Sequence, residues 1–334
     1  MALRFVSSSS AVSRETGSEL GGALVGEPAS GAVPAWPVQR VFAPLLGATS
    51  AAIHETWVSD QAVTSGYSEG ISWRRTDGVL YGVLELDEAD FDAVRGSSLL
   101  QAASEEAYRR IFRLLDVQKV PHLWRVWNYL AAINVETHGL ERYRQFNIGR
   151  QEAFLKCHRD ASGNVPAACA IGLAGSPLSI AFMAGDSAAV PLENPRQVSA
   201  YNYPADYGPR SPTFSRGALV YPHGQEILFI SGTASIVGHK TVSPGDAAGQ
   251  CREAMANIDA VVGEANRQSH SGPYALGELS YRVYVRQATD FRVIRETLSA
   301  LVGNAEIVYM QADICRHDLL LEIEAMASHS LEEA

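Results

Sequence analysis

Two glutamates near the end of the chain occupy the same face of a predicted strand. Glu322 and Glu324 lie two residues apart in the run LLLEIEAMA (319–327), and side chains two apart along a strand point to the same side. The intervening positions carry only apolar side chains, as a core-facing surface would. Charged side chains are mostly exposed, so one interpretation is a solvated face. The alternative is that Glu322 faces a cleft, where a shifted pKa would suit it to proton transfer. We expect Glu324 to face water.

A cysteine precedes this strand. Two segments with strand character, 305–314 and 318–326, flank the polar tripeptide Cys315-Arg316-His317, and such a pair predicts a β-hairpin. A free cysteine is commonly a small buried apolar side chain, so Cys315 by itself indicates no particular chemistry.

A predicted helix over 140–156 could hold an anion. Its basic residues include Arg144 and Arg150, and Tyr143 lies beside them in sequence. At 100° per residue, Tyr143 and Arg150 lie within about 20° of each other, whereas Arg144 points roughly 120° away from Arg150. A guanidinium suits a carboxylate because its planar fork makes two parallel charge-assisted bonds. The alternative for each arginine is a solvated helix face.

A second candidate anion clamp is the loop Tyr207-Gly208-Pro209-Arg210-Ser211-Pro212. Prolines on both sides of Arg210 reduce its backbone freedom, which favours a preorganised contact, although a plain surface turn has the same composition. Ser231 and Thr233 could bond to a substrate or to the backbone, but no GxSxG motif surrounds them.

Composition limits the class of partner. The chain of 334 residues is 46% hydrophobic and 19% charged, with a net charge of −10, which argues against nucleic acid or an anionic membrane. A small acidic ligand would need arginines concentrated locally. The four cysteines show no metal-ligand spacing, and no nucleotide loop or HExxH motif occurs, so we expect no metal and no organic cofactor. Without an apolar leader or an 18-residue apolar run, we expect a cytoplasmic protein.

Two halves of the chain follow the same predicted order: two strands, helix, strand, helix, two strands. This order indicates an internal duplication of α+β units, each a mixed sheet with two helices on one face. We therefore divide the chain into an N-terminal arm (1–45), a first unit (46–195) and a second unit (196–334). A cleft between two like units is a common place for a ligand.

Motifs in both halves resemble known families. In the second half, FISGTAS (229–235), GDAAGQCREAMANIDAVV (245–262) and LLLEIEAMA (319–327) resemble the YjgF/RidA family. The whole chain is similar to the chorismatases, through the segments LWRVWNYLAAIN (123–134), GLERYRQFNIGRQEAF (139–154), YPADYGPRSPTFSRG (203–217) and QADICRHDLLLEIEA (311–325). The resemblance implies two YjgF/RidA-like units in tandem, with the chorismate-mutase-like barrel fold, as a monomer or a homotrimer.

The resemblance also implies an activity, the release of pyruvate from chorismate. Glu322 would be the general acid, and a cysteine seven residues before it, here Cys315, marks the type that forms 3-hydroxybenzoate. Ala234 is instead more typical of the hydrolytic type, which forms a dihydroxycyclohexadienoate. The implied substrate-binding residues are Tyr143, Arg144, Arg150, Tyr207, Arg210, Ser231, Thr233 and Ala234.

A different class remains open, a RidA-like binding module or imine deaminase. The arginine that the RidA family places shortly before its last strand pair has no counterpart here, because Ile307 occupies that position. An arginine for a substrate carboxylate would then have to come from elsewhere in the chain, as the chorismatase resemblance requires.

Overall fold

The computed structural model describes residues 3–9, 16–27, 34–92, 97–175 and 177–331. Four α-helices lie within these ranges: α1 (Leu99–Gln118), α2 (Arg142–Lys156), α3 (Ala247–Gln268) and α4 (Phe291–Val302). The first unit and the residues before it contain β1 (Leu3–Ser8), β2 (Glu19–Gly26), β3 (Val38–Val41), β4 (Ala52–Ser59), β5 (Thr64–Ser68), β6 (Ile71–Arg75), β7 (Val79–Leu86), β8 (His122–Ala131), β9 (Glu136–Thr137), β10 (Leu140–Glu141), β11 (Ala167–Leu173), β12 (Leu178–Gly185) and β13 (Val190–Leu192). The remaining strands are β14 (Gly217–Val220), β15 (Gln225–Thr233), β16 (Ile236–Val237), β17 (Lys240–Thr241), β18 (Ser280–Val285), β19 (Ile307–Gln311) and β20 (Leu321–Ser330).

The long helices begin and end where local chemistry favours it. The Ser98 side chain accepts a hydrogen bond from the Gln101 N–H at the start of α1, and Asp246 accepts one from the Gly249 N–H at the start of α3. Such caps satisfy main-chain donors that have no partner within the helix. The helix α1 ends at Lys119, whose φ of 57° lies in the left-handed region, a common helix stop.

The two units have the same sheet topology. The first six-stranded sheet has the order β11-β8-β12-β7-β6-β5, and the second has the order β13-β14-β15-β20-β18-β19. When β6, β7, β8, β11 and β12 are matched to β14, β15, β18, β19 and β20 in chain order, the neighbours are identical. In both units the one parallel pair joins the strands that flank the second helix. The predicted duplication is therefore present in the fold, and the sheets are mixed.

Each sheet carries its two helices on one face, as predicted. Apolar side chains of α1 and α2 pack on the first sheet, and those of α3 and α4 pack on the second. The opposite faces of both sheets share a central core that includes Trp57, Trp127 and Phe229. Both six-stranded sheets are open, with edge strands at each end, so the α+β class is confirmed without a closed barrel in the described part of the chain.

Residues assigned to the N-terminal arm contribute ordered structure. The strands β1, β2 and β3 join β4 in a four-stranded sheet of order β1-β4-β2-β3. Two side chains of this sheet, Leu20 on β2 and Trp57 on β4, are buried in the central core. No helix among the described residues has the length and hydropathy needed to cross a bilayer.

The predicted C-terminal hairpin is wrong. The strands β19 and β20 are not neighbours, because β18 lies between them, parallel to β19 and antiparallel to β20. Tight hairpins use connections of about two to five residues, whereas residues 312–320 form a longer connection that crosses the end of β18. We call residues 312–320 the crossing loop. The strand β20 consequently lies inside its sheet, with β15 on its other side.

Candidate active site

A cavity lined by converging polar groups lies between the two units. Its volume is about 390 Å³. The first unit contributes α2 and β11, and the second contributes the end of β15, the crossing loop and β20. Residues between 203 and 216, which precede β14 in the second unit, close one side. This position agrees with the cleft that the duplication predicted.

Glu322 projects from β20 into this cavity. The residue is only 4% exposed, and its place in the middle of a sheet keeps the carboxyl away from bulk water. Burial, and then the nearby carboxylate of Glu324, raise the pKa of Glu322 to about 8, against the opposing effects of Arg125, Cys315 and Arg216. Burial disfavours the charged form, so Glu322 is a neutral acid at pH 7. It can donate a proton to a molecule in the cavity.

A glycine makes room for this carboxyl. Gly232 lies near the end of β15, where the pairing with β20 is irregular. A Cβ at position 232 would lie 1.8 Å from Glu322 Oε1 and 3.2 Å from the Cβ of Cys169. Because any side chain would overlap the carboxyl oxygen, the SGT sequence of β15 requires glycine for the observed position of Glu322.

Cys315 lies beside the same carboxyl. Its Sγ donates to Glu322 Oε2 over 3.9 Å, a long contact that is within the range for sulfur. Burial, and then the charge of Glu322, raises the pKa of the Cys315 thiol, so the thiol stays protonated at neutral pH. The crossing loop thus brings a second weak acid within reach of the ligand that Glu322 would contact.

Glu324 does not face water, contrary to our expectation. It is 4% exposed and forms ion pairs with Arg125 from the first unit and with Arg282 from β18. The Tyr284 hydroxyl also donates to its Oε1 over 3.1 Å. The inner face of the second sheet packs against the first, so a residue two positions from Glu322 is enclosed by the other unit. Sequence periodicity predicts on which face of a strand a side chain lies, but it does not predict what packs against that face.

The predicted pair Tyr143 and Arg150 does face the cavity together. Both line it from α2, and Arg150 Nη2 donates to Asn147 Oδ1 over 2.8 Å. Arg150 is 1% exposed and has no carboxylate partner among the described residues, and its Nε has no hydrogen-bond partner there either. A buried guanidinium in this state is suited to an anionic ligand.

Two further arginines line the cavity, and sequence reasoning missed both. Arg216 is 4% exposed; its Nη2 donates to Val198 O and the Tyr203 hydroxyl, each over 2.9 Å. Arg316 lies over the Tyr207 ring, 4.3 Å from its centroid. Neither has a carboxylate partner among the described residues. Both arginines occur in segments that carried the family resemblance, PTFSRG and ADICRHD. That resemblance was the one feature of the sequence that could have indicated them as site residues.

The other predicted site residues divide into two groups. Arg144, Tyr207 and Ala234 line the cavity, and Arg144 also pairs with Glu141 at 3.5 Å. Arg144 and Arg150 therefore both reach the cavity, although their helical positions differ by roughly 120°, because the cavity extends past the start of α2.

Arg210, Ser231 and Thr233 do not line the cavity. Arg210 is partly exposed and pairs with Glu152 at 2.8 Å. Ser231 Oγ donates to Ser215 O over 2.6 Å, and Thr233 Oγ1 donates to Ser231 O over 2.7 Å, so both hydroxyls are used by the main chain. The proline-flanked loop presents its arginine to the outside of α2, and Arg216 occupies the place expected for Arg210.

The cavity is therefore acidic at one point and cationic elsewhere. A neutral carboxyl and a neutral thiol lie at the β20 end, and guanidinium groups line the sides. This arrangement can bind a small anion and protonate it. Among the described residues, no three His, Cys, Asp or Glu side chains converge in a way that would hold a metal ion.

Comparisons with known proteins identify the family of the chain. A model of the FkbO/Hyg5-like chorismatase family, N-terminal, matches residues 55–184. A Streptomyces hygroscopicus protein named chorismatase is 36% identical over 283 residues, which cover 83% of this chain and 80% of the relative. The chain belongs to the chorismatase family. A protein of the same organism named 3-hydroxybenzoate synthase is 35% identical over 292 residues, covering 84% of this chain and 83% of the relative.

The fold of this chorismatase-family protein is also that of a solved relative. A crystal structure of a chorismatase superposes with a TM-score of 0.85 at 32% identity, covering 98% of each chain. This superposition agrees with the fold described above, and its coverage extends into the N-terminal segment for which the sequence resemblance gave no account.

Proposed function

We propose that this protein releases pyruvate from chorismate and forms 3-hydroxybenzoate, with Glu322 as general acid and Cys315 directing the ring chemistry. The observation that carries the proposal is the neutral Glu322 at one end of a cavity whose arginines Arg150, Arg216 and Arg316 have no carboxylate partners in the described structure. Relatives named chorismatase and 3-hydroxybenzoate synthase support the same substrate.

The substrate matches the charges of the cavity. Chorismate is a dicarboxylate whose enol ether joins a pyruvyl group to a cyclohexadiene ring. Arg150 and Tyr143 from one side, and Arg216 from the other, would hold the two carboxylates. A charge-assisted hydrogen bond to a buried guanidinium is worth about 1.5–3 kcal/mol. These contacts supply locally the positive charge that a protein of net charge −10 lacks overall.

The chemical step begins with proton transfer. Glu322 donates its proton to the terminal methylene carbon of the enol ether, which makes the ether carbon electrophilic. For 3-hydroxybenzoate, the bond between the ring carbon and the ether oxygen then breaks, and pyruvate leaves with its electron pair. The neighbouring ring hydroxyl oxygen bonds to that ring carbon and loses its proton, and the ring rearranges to the phenol without adding water. In the hydrolytic alternative, water attacks the ether carbon, and the bond from that carbon to the ring oxygen breaks as the ring oxygen takes up a proton, which gives pyruvate and the diol. A general acid works best with a pKa near the working pH, and the pKa of about 8 for Glu322 meets this requirement.

The fate of the ring distinguishes two products. Formation of 3-hydroxybenzoate and pyruvate conserves all atoms of chorismate, whereas the dihydroxycyclohexadienoate requires one added water. The contact between Cys315 and Glu322 supports a role for the thiol in exchanging a proton with the ring end of the substrate, and this role favours the first product. Ala234 lines the same cavity and favours hydrolysis by family resemblance, so the hydrolytic product is the second candidate.

The test uses purified protein and chorismate. Pyruvate is measured with a coupled reductase, and the ring products are separated by chromatography. We expect 3-hydroxybenzoate and pyruvate in equal amounts. Glu322→Gln should lower the rate of pyruvate release by roughly 10²–10⁴-fold, and Cys315→Ala should change the product more than the rate.

Two outcomes would change the assignment. A cyclohexadienediol from the unmodified protein would establish the hydrolytic type and make Ala234 the better guide to the product. Absence of pyruvate would refute the proposed function altogether. Cys251→Ala is the matched control, because Cys251 is buried under α4, away from the cavity, and should leave the product unchanged.

A further inference from the structure

The crossing loop brings four residues to the cavity wall: Cys315, Arg316, His317 and Asp318. It contains no regular secondary structure, so other groups must fix its main chain. Cys315 lies in the middle of this stretch, and any displacement of the loop moves its thiol relative to Glu322.

The guanidinium of Arg286 holds the crossing loop through hydrogen bonds to its main chain. Arg286 follows β18 directly, and its guanidinium uses all five of its N–H groups. Nε donates to Leu319 O over 2.7 Å. Nη2 donates to Ile314 O over 3.0 Å and to Arg316 O over 2.8 Å.

The fourth and fifth donors extend the contact to a side chain on each unit. Nη1 donates to Asp313 Oδ1 over 2.7 Å and to Asn134 Oδ1 over 3.0 Å. Asn134 belongs to the first unit, just after β8, whereas Asp313 belongs to the loop. The guanidinium therefore ties the loop to both halves of the protein across the base of the cavity.

Two of these hydrogen bonds bear on the position of Cys315. The carbonyls of residues 314 and 316, on either side of Cys315 in the chain, both accept from the same nitrogen of Arg286. The two accepting peptide groups, 314–315 and 316–317, bracket Cys315 and Arg316, so fixing both restricts the main chain that carries these two side chains. A guanidinium can do this because its donors have a rigid planar arrangement, which the three rotatable donors of a lysine cannot reproduce.

We propose that Arg286 is a positioning residue, which fixes the crossing loop so that Cys315 and Arg316 reach a bound substrate in one orientation. Arg286 is not among the described residues that line the cavity, so its role would be exerted through the loop. The consequence for the product rests on the proposed function, because it requires Cys315 to direct the ring chemistry; the effect on the loop does not.

The first measurement is independent of turnover. Wild type and Arg286→Lys are treated with iodoacetamide, and alkylation of each cysteine is followed by peptide mass spectrometry. Cys315 should be alkylated at least tenfold faster in the variant, while buried Cys251 should be unchanged. A merely structural loss of stability would instead increase alkylation of both cysteines. Arg75→Lys is the matched control, since Arg75 also donates to main-chain carbonyls but lies far along the first sheet.

The second measurement is the product ratio. With chorismate as substrate, Arg286→Lys should change the ratio of ring products at least fivefold, and Arg75→Lys should leave it unchanged. If Arg286→Lys fails to fold, Asp313→Ala serves instead, because it removes one acceptor from a residue whose side chain is 47% exposed; Cys315 alkylation should then rise at least threefold.

The outcomes separate the two proposals. Unchanged alkylation of Cys315 in a folded Arg286→Lys or Asp313→Ala variant would overturn the positioning role. Faster alkylation with an unchanged product ratio would overturn the link between loop position and product. If wild type releases no pyruvate, the proposed function fails, and the alkylation result still decides whether Arg286 positions the loop.

Discussion

Replacement of Glu322 by Gln should make the protein more stable, by an amount that grows with pH. The pKa of Glu322 rises from an ordinary value of 4.5 to about 8, chiefly through burial. The folded state therefore holds this proton more tightly than the unfolded state, and stability falls as pH rises from about 4.5 to 8. Since one pKa unit corresponds to about 1.4 kcal/mol, the full loss above pH 8 is about 5 kcal/mol.

The two pH values to compare are 6 and 9. At pH 6 the loss in wild type is about 2 kcal/mol, and at pH 9 it is complete. Glu322→Gln cannot ionise, so its free energy of unfolding relative to wild type should rise by about 3 kcal/mol between these values. Urea unfolding of both proteins at each pH measures this difference, and effects of the substitution on packing cancel because they are the same at both pH values.

Glu226 provides a matched control with the opposite sign. It is also fully buried, on β15, but it accepts from the His270 N–H over 2.7 Å and from the hydroxyls of Ser269, Ser271 and Tyr274. Burial opposes its ionisation, yet these donors hold the pKa of Glu226 below its ordinary value. Glu226→Gln should destabilise the protein equally at pH 6 and 9. If Glu322→Gln behaved in the same way, Glu322 would be ionised in the folded protein and could not act as the acid.

Three further changes test the cavity. Gly232→Ala should lower pyruvate release from chorismate at least tenfold, because its Cβ would overlap the carboxyl of Glu322. Arg216→Met should raise KM for chorismate roughly tenfold or more, as expected for loss of a bond of at least about 1.4 kcal/mol, whereas Arg210→Met should not. Glu324→Gln should move the alkaline limb of the kcat/KM profile to lower pH, because the carboxylate of Glu324 raises the pKa of Glu322.

Each of these three predictions has an outcome that would contradict it. Gly263→Ala, on an open face of α3, is the control for Gly232→Ala; equal activity in the two variants would show that Glu322 can shift without loss. Equal KM values for Arg216→Met and Arg210→Met would show that Arg216 does not bind the substrate. An alkaline limb that stays in place or moves to higher pH in Glu324→Gln would refute the contribution of the Glu324 carboxylate to the raised pKa of Glu322.

Local sequence determined the elements and several site residues. The strands and helices follow from residue periodicity and capping, and the repeated order of elements gave the two units. Tyr143 and Arg150 share a helix face because of the helical repeat, and Glu322 faces away from an apolar strand surface because side chains alternate. These properties depend on residues a few positions apart, so a single sequence expresses them directly.

The order of strands and the surroundings of each side chain were decided by tertiary structure. The pairing of β20 with β15 and β18 rather than β19 depends on which strands are available after each helix crossover, and a strong local hairpin pattern gave the wrong neighbour. Arg125 and Glu324 are 199 positions apart, so no local pattern distinguishes a buried ion pair from a solvated glutamate. Likewise, Arg210 and Arg216 lie in one loop, and only packing against α2 decides which of them reaches the cavity. Charge placement in a buried site thus depends on long-range contacts, whereas the alternation of side chains along the strand already made Glu322 a candidate acid.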